Sequence, residues 1–360
     1  MKKQYFYLVV LLYVLAVFYI TSTTPISPHE ARIYYGVHDI VWSFMHWGEW
    51  LIDGFLGIRI FFIFFGFIGM VLFYELSRRY FEEQKYAYLS TTIFMLLPGV
   101  LTATTLANVS IIVLPLVLFF VLMYERNSFW SLPFVMLALF FVHEASIIFF
   151  VAVLAYGINH KDKRLSVFSA SFLMAFIYLA KGIDIGGRPS GHFLEIFGLY
   201  ASVFSPFLFF YFFYAMYRIL LREKKTLLWY ISFTALAFSL LLSIRQRVYI
   251  TDFAPYVTVA IILMLDVFNH SVRVRLPEFQ KRYKIAFNVV ISFLLLGVFV
   301  IVFHRMFFYI LKDPSQHFAY HIYKPYFLAK KLKEDAIECY SDAHGREINQ
   351  LRYYNIRLCN

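Results

Sequence analysis

Charge is scarce in this chain. Of its 360 residues only 15% are Asp, Glu, Lys or Arg, whereas 61% are hydrophobic and 21% aromatic. A single water-soluble domain would carry far more apolar surface than it could bury, which excludes a soluble enzyme. There is no GxGxxG, no P-loop, no HExxH and no paired CxxC, so the common signatures of soluble nucleotide-binding and zinc enzymes are missing. No small-residue cleavage site follows the first apolar run, and Tyr5–Ser22 therefore reads as a retained span. No convincing internal repeat is visible either, where a transporter usually shows two related halves.

What is present is a series of apolar runs of about 18–22 residues between Tyr5 and His304, each long enough to cross roughly 30 Å of hydrocarbon as a helix. Spans are expected near 5–22, 57–77, 86–106, 108–124, 165–182, 199–220, 226–243, 254–268 and 285–305. The apolar stretch 131–158 is too long for one simple span and carries His143 and Glu144 at its middle. Two shorter helices meeting at a polar turn avoid burying both ionisable groups in lipid. The expected fold is an all-α polytopic membrane protein of about eleven transmembrane or re-entrant helices, with a small C-terminal α/β tail. Residues 1–305 are expected to form the transmembrane domain, including a first extracytoplasmic loop at 23–56, and 306–360 the tail.

The cations orient these spans, because Lys and Arg beside short loops stay cytoplasmic. One alternating set of loops holds Lys2 and Lys3, Arg78, Arg79 and Lys85, Arg126, Lys161 to Arg164, Arg218 to Lys225, and Arg273 to Lys284. The other set, up to residue 304, has only Arg32, Arg59, Lys181, Arg188, Arg245 and Arg247. The N-terminus is thus expected in the cytoplasm and the tail on the far side, which in a bacterial inner membrane is the periplasm. The net charge of +11 reflects this orientation and anionic headgroups rather than nucleic acid. The two cysteines, Cys339 and Cys359, both lie in the tail. In an oxidising compartment they can pair and stabilise a small domain by about 3 kcal/mol; two free thiols are the other reading. The tail reads as a helix at Tyr326–Lys333, a strand at Ala336–Tyr340, a turn at His344–Gly345 and a helix at Glu347–Tyr354.

Three non-cytoplasmic segments concentrate the remaining polar residues. The first, Thr23–Leu56, carries His29, Glu30, Arg32, Tyr34, Asp39, His46 and Glu49 among Trp42, Trp47 and Trp50. Ile33, Val37, Ile40, Val41, Phe44 and Met45 follow the Ser27-Pro28 start signal at helical spacing, so one amphipathic interfacial helix is expected. Glu30 falls in its first turn, where a carboxylate is favoured by the helix dipole and can simply cap the helix. The second, Ser243–Pro255, holds Arg245 and Arg247 on a face poor in cations; they can snorkel to headgroups or clamp a phosphate. The third, Gly182–Gly198, with Asp184, Arg188, His192 and Glu195, is a lid or an ordinary connector. His143-Glu144 is a proton relay or a helix-turn pair.

In order and place these segments resemble the membrane-embedded glycosyltransferases of the GT-C superfamily, in particular the group of the protein O-mannosyltransferases and the aminoarabinose transferase of lipid A. Pro28-His29-Glu30-Ala31-Arg32-Ile33-Tyr34-Tyr35 is similar to that group's P-D-E-x-R-Y stretch. Gly57-Ile58-Arg59, Tyr74 to Phe81 and Leu96-Leu97-Pro98-Gly99 resemble its second and third spans, and Arg245-Gln246-Arg247-Val248-Tyr249 leading to Pro255 resembles the basic segment opening a late span. The chain departs from the pattern at His29, where the family usually has Asp, and at Ala107-Asn108, where relatives often have Leu-Asp.

The resemblance implies transfer of a sugar from a polyprenyl-phosphate carrier to a hydroxyl of a glycan, lipid or protein on the periplasmic face, with inversion. On this reading Glu30 is the expected base, with His29 in reserve. Arg245, Arg247 and Tyr249 hold the departing phosphate, and Arg32, Tyr34, Asp39, Arg188 and His192 line the substrate. No cofactor is called for, and the acids are not clustered as metal ligands, although Glu30 and Asp39 could meet in space around a divalent ion. A glycan polymerase or ligase of similar architecture, or a lipid-linked glycan flippase, are the alternatives.

Overall fold

A computed structural model describes residues 2–36, 38–179, 191–311, 313–337, 339–341 and 346–359. The chain is helical nearly throughout and is a multi-pass membrane protein. Helix α1 (Lys3–Thr23) is followed by two short helices, α2 (Pro28–Tyr35) and α3 (Ile40–Leu51), then by α4 (Ile60–Tyr80), α5 (Gln84–Met95), α6 (Pro98–Thr105) and α7 (Ser110–Glu125). Next come α8 (Leu132–Val142), α9 (Ile147–Asn159), α10 (Lys163–Tyr178), α11 (Phe193–Phe204), α12 (Pro206–Arg222) and α13 (Leu227–Arg245). The series continues with α14 (Ala254–Val257), α15 (Ile261–Arg273), α16 (Pro277–Val302) and α17 (His304–Ile310). The tail adds α18 (Tyr320–Glu334), β1 (Cys339–Tyr340), α19 (Arg346–Tyr353) and β2 (Arg357–Leu358), the two strands pairing in parallel.

Among the described residues five helical segments are long and apolar enough to cross a membrane: Lys3–Thr23, Gly57–Tyr80, Leu227–Arg245, Ala254–Arg273 and Pro277–Val302. Two expected single spans are broken instead. The run 86–106 bends by 61° between α5 and α6, and the run 199–220 bends by 106° between α11 and α12. Both breaks fall directly before a proline, Pro98 or Pro206, which lacks an N–H and pushes its predecessor out of the helical region. Ser205 takes this to a left-handed φ of 86°. The two breaks pack together at Gly99, where a Cβ would lie 2.7 Å from the Val203 side chain, so only glycine fits. The stretch 131–158 divides as expected: α8 ends at Val142, His143 is extended, and a 3₁₀ turn at Glu144–Ser146 leads into α9.

The chain contacts divide it into two compact units, and the boundary expected at 305 is not one of their limits. One unit contains residues 1–13, 65–101 and 109–298. Its interior is aromatic, with Phe73 stacked on Phe94 at 3.9 Å and Phe150 on Phe172 at 5.1 Å. Two buried tyrosines there are matched by serines: Tyr200 Oη pairs with Ser239 Oγ at 2.7 Å, and Tyr256 Oη donates to Ser146 Oγ at 3.3 Å. The other unit contains residues 14–64, 102–108 and 299–360, so the first loop and the tail belong together. In it α19 packs on α2, α3 packs on the turn Gly57–Arg59, and Gln350 Nε2 donates to the Ile26 carbonyl at 2.9 Å.

Candidate functional site

The first loop starts from a capping box. Ser27 Oγ accepts from the Glu30 backbone N–H, and Glu30 Oε2 accepts from the Ser27 N–H at 2.8 Å. One amphipathic helix was expected here; α2 instead ends at Tyr35, and Asp39 starts α3 by accepting from the Trp42 N–H at 2.7 Å. Asp39 is therefore a helix cap. It and Glu30 each cap a different helix start.

Glu30 is fully buried and fully engaged. Arg59, equally buried, donates Nε to Oε1 and Nη2 to Oε2, both at 2.7 Å, and the Ala107 N–H donates to Oε1 at 2.8 Å. The rest of the Arg59 guanidinium binds the carbonyls of Thr21, Thr24 and Pro25 at 2.7–3.1 Å. Burial alone raises the Glu30 pKa, but the Arg59 charge and these hydrogen bonds outweigh it and hold the carboxyl below its ordinary value. A carboxylate with every lone pair committed and its proton affinity lowered is a poor general base. Glu30, the expected base, sits here as an anchor that fixes α2, the second span and the segment before α7. Two sequence departures, His29 and Ala107-Asn108, flank this anchor.

On the same helix His29 and Arg32 are exposed, and their separation of three residues puts them on one face. Tyr34 donates to Glu49 Oε2 and stacks on His46 at 4.3 Å. Burial, followed by the Glu49 carboxylate, raises its pKa, so it stays a phenol.

The other unit gathers the second and third polar segments. Arg247 Nε and Nη2 both reach Glu195 Oε1, at 2.8 and 2.7 Å, while Glu195 Oε2 lies 3.0 Å from His192 Nδ1. Helix α11, which carries Glu195, packs on the 3₁₀ turn Ile250–Asp252. Asp252 Oδ1 in turn lies 3.2 Å from His143 Nε2. The expected phosphate ligand Arg247 and the substrate-loop residue His192 are thereby joined through one carboxylate. The Arg247 side chain is 72% exposed, Tyr249 is also 72% exposed, and Arg245 is an exposed residue of the last turn of α13. Arg188 lies outside the described residues.

An imidazole whose Nε2–H donates to a carboxylate keeps its Nδ1 lone pair for an incoming proton. In the tautomer that turns Nε2–H toward Asp252, His143 has Nδ1 as its acceptor atom, and Arg247 is a cation positioned by Glu195. Asp252, Glu195 and Arg59 were missed as site partners in the sequence because each lies 29 to 109 residues from its partner. The only local signal was their rarity on a face short of charge. In the tail, Cys339 and Cys359 form a disulfide, so the expected pair is closed.

No protein-family model and no curated protein matches the chain. Solved structures do. ArnT from Cupriavidus metallidurans in the apo state aligns over 98% of this chain and 74% of its own, with a TM-score of 0.58 and 15% identity. The same protein bound to undecaprenyl phosphate aligns over 99% and 85%, with a TM-score of 0.60 and 11% identity. The chain thus shares the fold of these ArnT structures.

Proposed function

We propose that this protein is a membrane glycosyltransferase that takes a sugar from a polyprenyl-phosphate carrier and passes it to an acceptor hydroxyl at the periplasmic face. The observation that carries this is the fold shared, over almost the whole chain, with an ArnT structure that holds undecaprenyl phosphate. The orientation is supported by the polar pairs, since His143–Asp252 and Glu195–Arg247 join segments that the cation bias assigns to one side of the membrane.

In the proposed step the acceptor oxygen attacks the anomeric carbon as the carbon–phosphate-oxygen bond breaks. The phosphate leaves as an anion and needs no proton, so what it requires is fixed positive charge. Arg247, held by Glu195, supplies it, with Arg245 and Tyr249 beside it in the chain. The acceptor proton passes to His143 Nδ1, and Asp252 stabilises the imidazolium that results. A single displacement inverts the anomeric centre.

The test is sugar transfer by the purified protein in lipid, with a panel of polyprenyl-phosphate sugars and membrane-extract acceptors. Arg247→Ala and His143→Ala are each expected to lower turnover by about 10²–10³-fold, while His29→Ala keeps it. Loss in His29→Ala with an active His143→Ala would move the base to the first loop. Donors active only when carrying a chain of sugars would make the protein a polymerase. Movement of labelled lipid-linked sugar across the bilayer without transfer would make it a flippase.

A further inference from the structure

A second cleft lies wholly within the unit formed by the first loop and the tail. It has a volume of about 1100 Å³ and is lined by Tyr35 of α2, Lys333 at the end of α18, Arg352 of α19 and Arg357 of β2, with apolar patches from Ile337 and Leu358. Among the described residues no carboxylate lines it. That volume is at the upper end for small-molecule sites, about 300–1,000 Å³.

Its walls are fixed. Arg352 sits over the Tyr35 ring at 4.5 Å, Lys324 is ion-paired with Glu347 at 2.6 Å, and Gln350 ties α19 to Ile26. The strand β2 is held to β1 by the Cys339–Cys359 disulfide. Helices α18 and α19 both end at this cleft, in left-handed residues Ala336 (φ 54°) and Asn355 (φ 62°). Lys333 and Arg352 therefore also meet the carbonyl ends of their own helices, the ordinary structural use of a cation there. The two helix ends supply about −0.5 charge each, which is less than the three full positive charges in the lining. Arg357 belongs to no helix end. The described lining is thus positive, with an aromatic face and apolar patches beside the cations.

We propose that this cleft binds an anionic saccharide, a sugar chain bearing carboxylate or phosphate groups, as the docking site for the acceptor. Arg352 and Arg357 pair with its anionic groups, and Tyr35 offers a ring beside them. Use of the bound saccharide as acceptor rests on the glycosyl-transfer reading; its binding does not.

The experiment uses the full chain in phosphatidylcholine nanodiscs, without any donor, titrated with a galacturonate hexasaccharide and with maltohexaose as the neutral counterpart. Saturable binding of the acidic chain alone is expected, about tenfold weaker in Arg352→Gln and in Arg357→Gln, retained in Arg352→Lys, and weakened by reduction of the disulfide. Near-UV circular dichroism checks that each variant is folded. Equal binding of the neutral chain, or unchanged affinity in both folded Gln variants, overturns the proposal. So does a cleft that binds no hexasaccharide but enriches phosphatidylglycerol from mixed-lipid nanodiscs in an Arg357-dependent way, which makes it a headgroup site. Because no sugar donor is present, an inactive transferase that still binds the acidic chain separates failure of the transfer reading from failure of this one.

Discussion

Of the Glu–Arg pairs among the described residues, two stand in opposite surroundings and do opposite work. Glu30 and Arg59 are wholly buried, and the carboxylate and guanidinium are filled by backbone and by each other. Glu195 and Arg247 are 33% and 72% exposed and meet through a single carboxylate oxygen. A buried pair is costly to desolvate and tolerates no loss of one partner, whereas an exposed pair contributes little to stability and is open to a ligand. The same two residue types thus make a structural clasp in one unit and a positioned cation in the other. From the sequence a member of each pair, Glu30 and Arg247, was expected to take part in the chemistry, and the two settings were not told apart.

The largest effect that could break this contrast lies in the buried pair. Glu30→Gln or Arg59→Met alone is expected to destabilise the fold by about 3–5 kcal/mol, seen as a lowered melting temperature in detergent. The double variant should recover much of that loss, because no lone charge is left buried. A Glu30→Gln protein that melts like wild type and has lost only turnover would restore Glu30 as a base.

A smaller effect comes from pH. His304 is buried just after the last long helix, with Nδ1 donating to the Ile301 carbonyl at 2.7 Å and Nε2 accepting from Tyr323 Oη at 2.8 Å. Burial lowers its pKa, and the backbone bond to Ile301 only partly offsets this. The folded state therefore favours the neutral ring while the unfolded chain binds a proton near its ordinary 6.5. Its stability contribution is complete above that pH and is lost as pH falls through 6.5 toward the lowered folded value. Melts at pH 7.5 and 5.5 should differ, and His304→Gln should narrow the difference. Glu30, also lowered, keeps its contribution above its ordinary 4.5 and loses it as pH falls from there toward the lowered folded value, so the two windows separate.

The smallest expected effect sharpens the comparison from the exposed side. Glu195→Gln should leave the melting temperature unchanged and lower transfer several-fold by freeing the Arg247 guanidinium. A melting temperature that drops as in Glu30→Gln would show that the exposed pair is also structural.

The helical membrane fold, the polar turn at His143 and the tail helices were legible in the sequence because each rests on local periodicity and on where charge is tolerated. The capping role of Glu30 was legible too, from Ser27 three residues before it. Its second role was not, since Arg59 and Ala107 lie 29 and 77 residues away and nothing local marks them as partners. The breaks before Pro98 and Pro206 were written plainly, but hydropathy ran through both and concealed them. The joining of His192 to Arg247 by Glu195 depends on the docking of α11 against a distant turn, which no local pattern encodes.

The bond from Gln350 to the Ile26 carbonyl spans 324 residues of chain. At roughly 5–20 residues per second of synthesis, the first loop leaves the ribosome about 15–65 s before the residue that completes its packing is made. During that interval α2 and α3, with their tryptophans, stand without the tail. The first loop, made among the earliest residues, is therefore among the last parts of the chain to complete its packing.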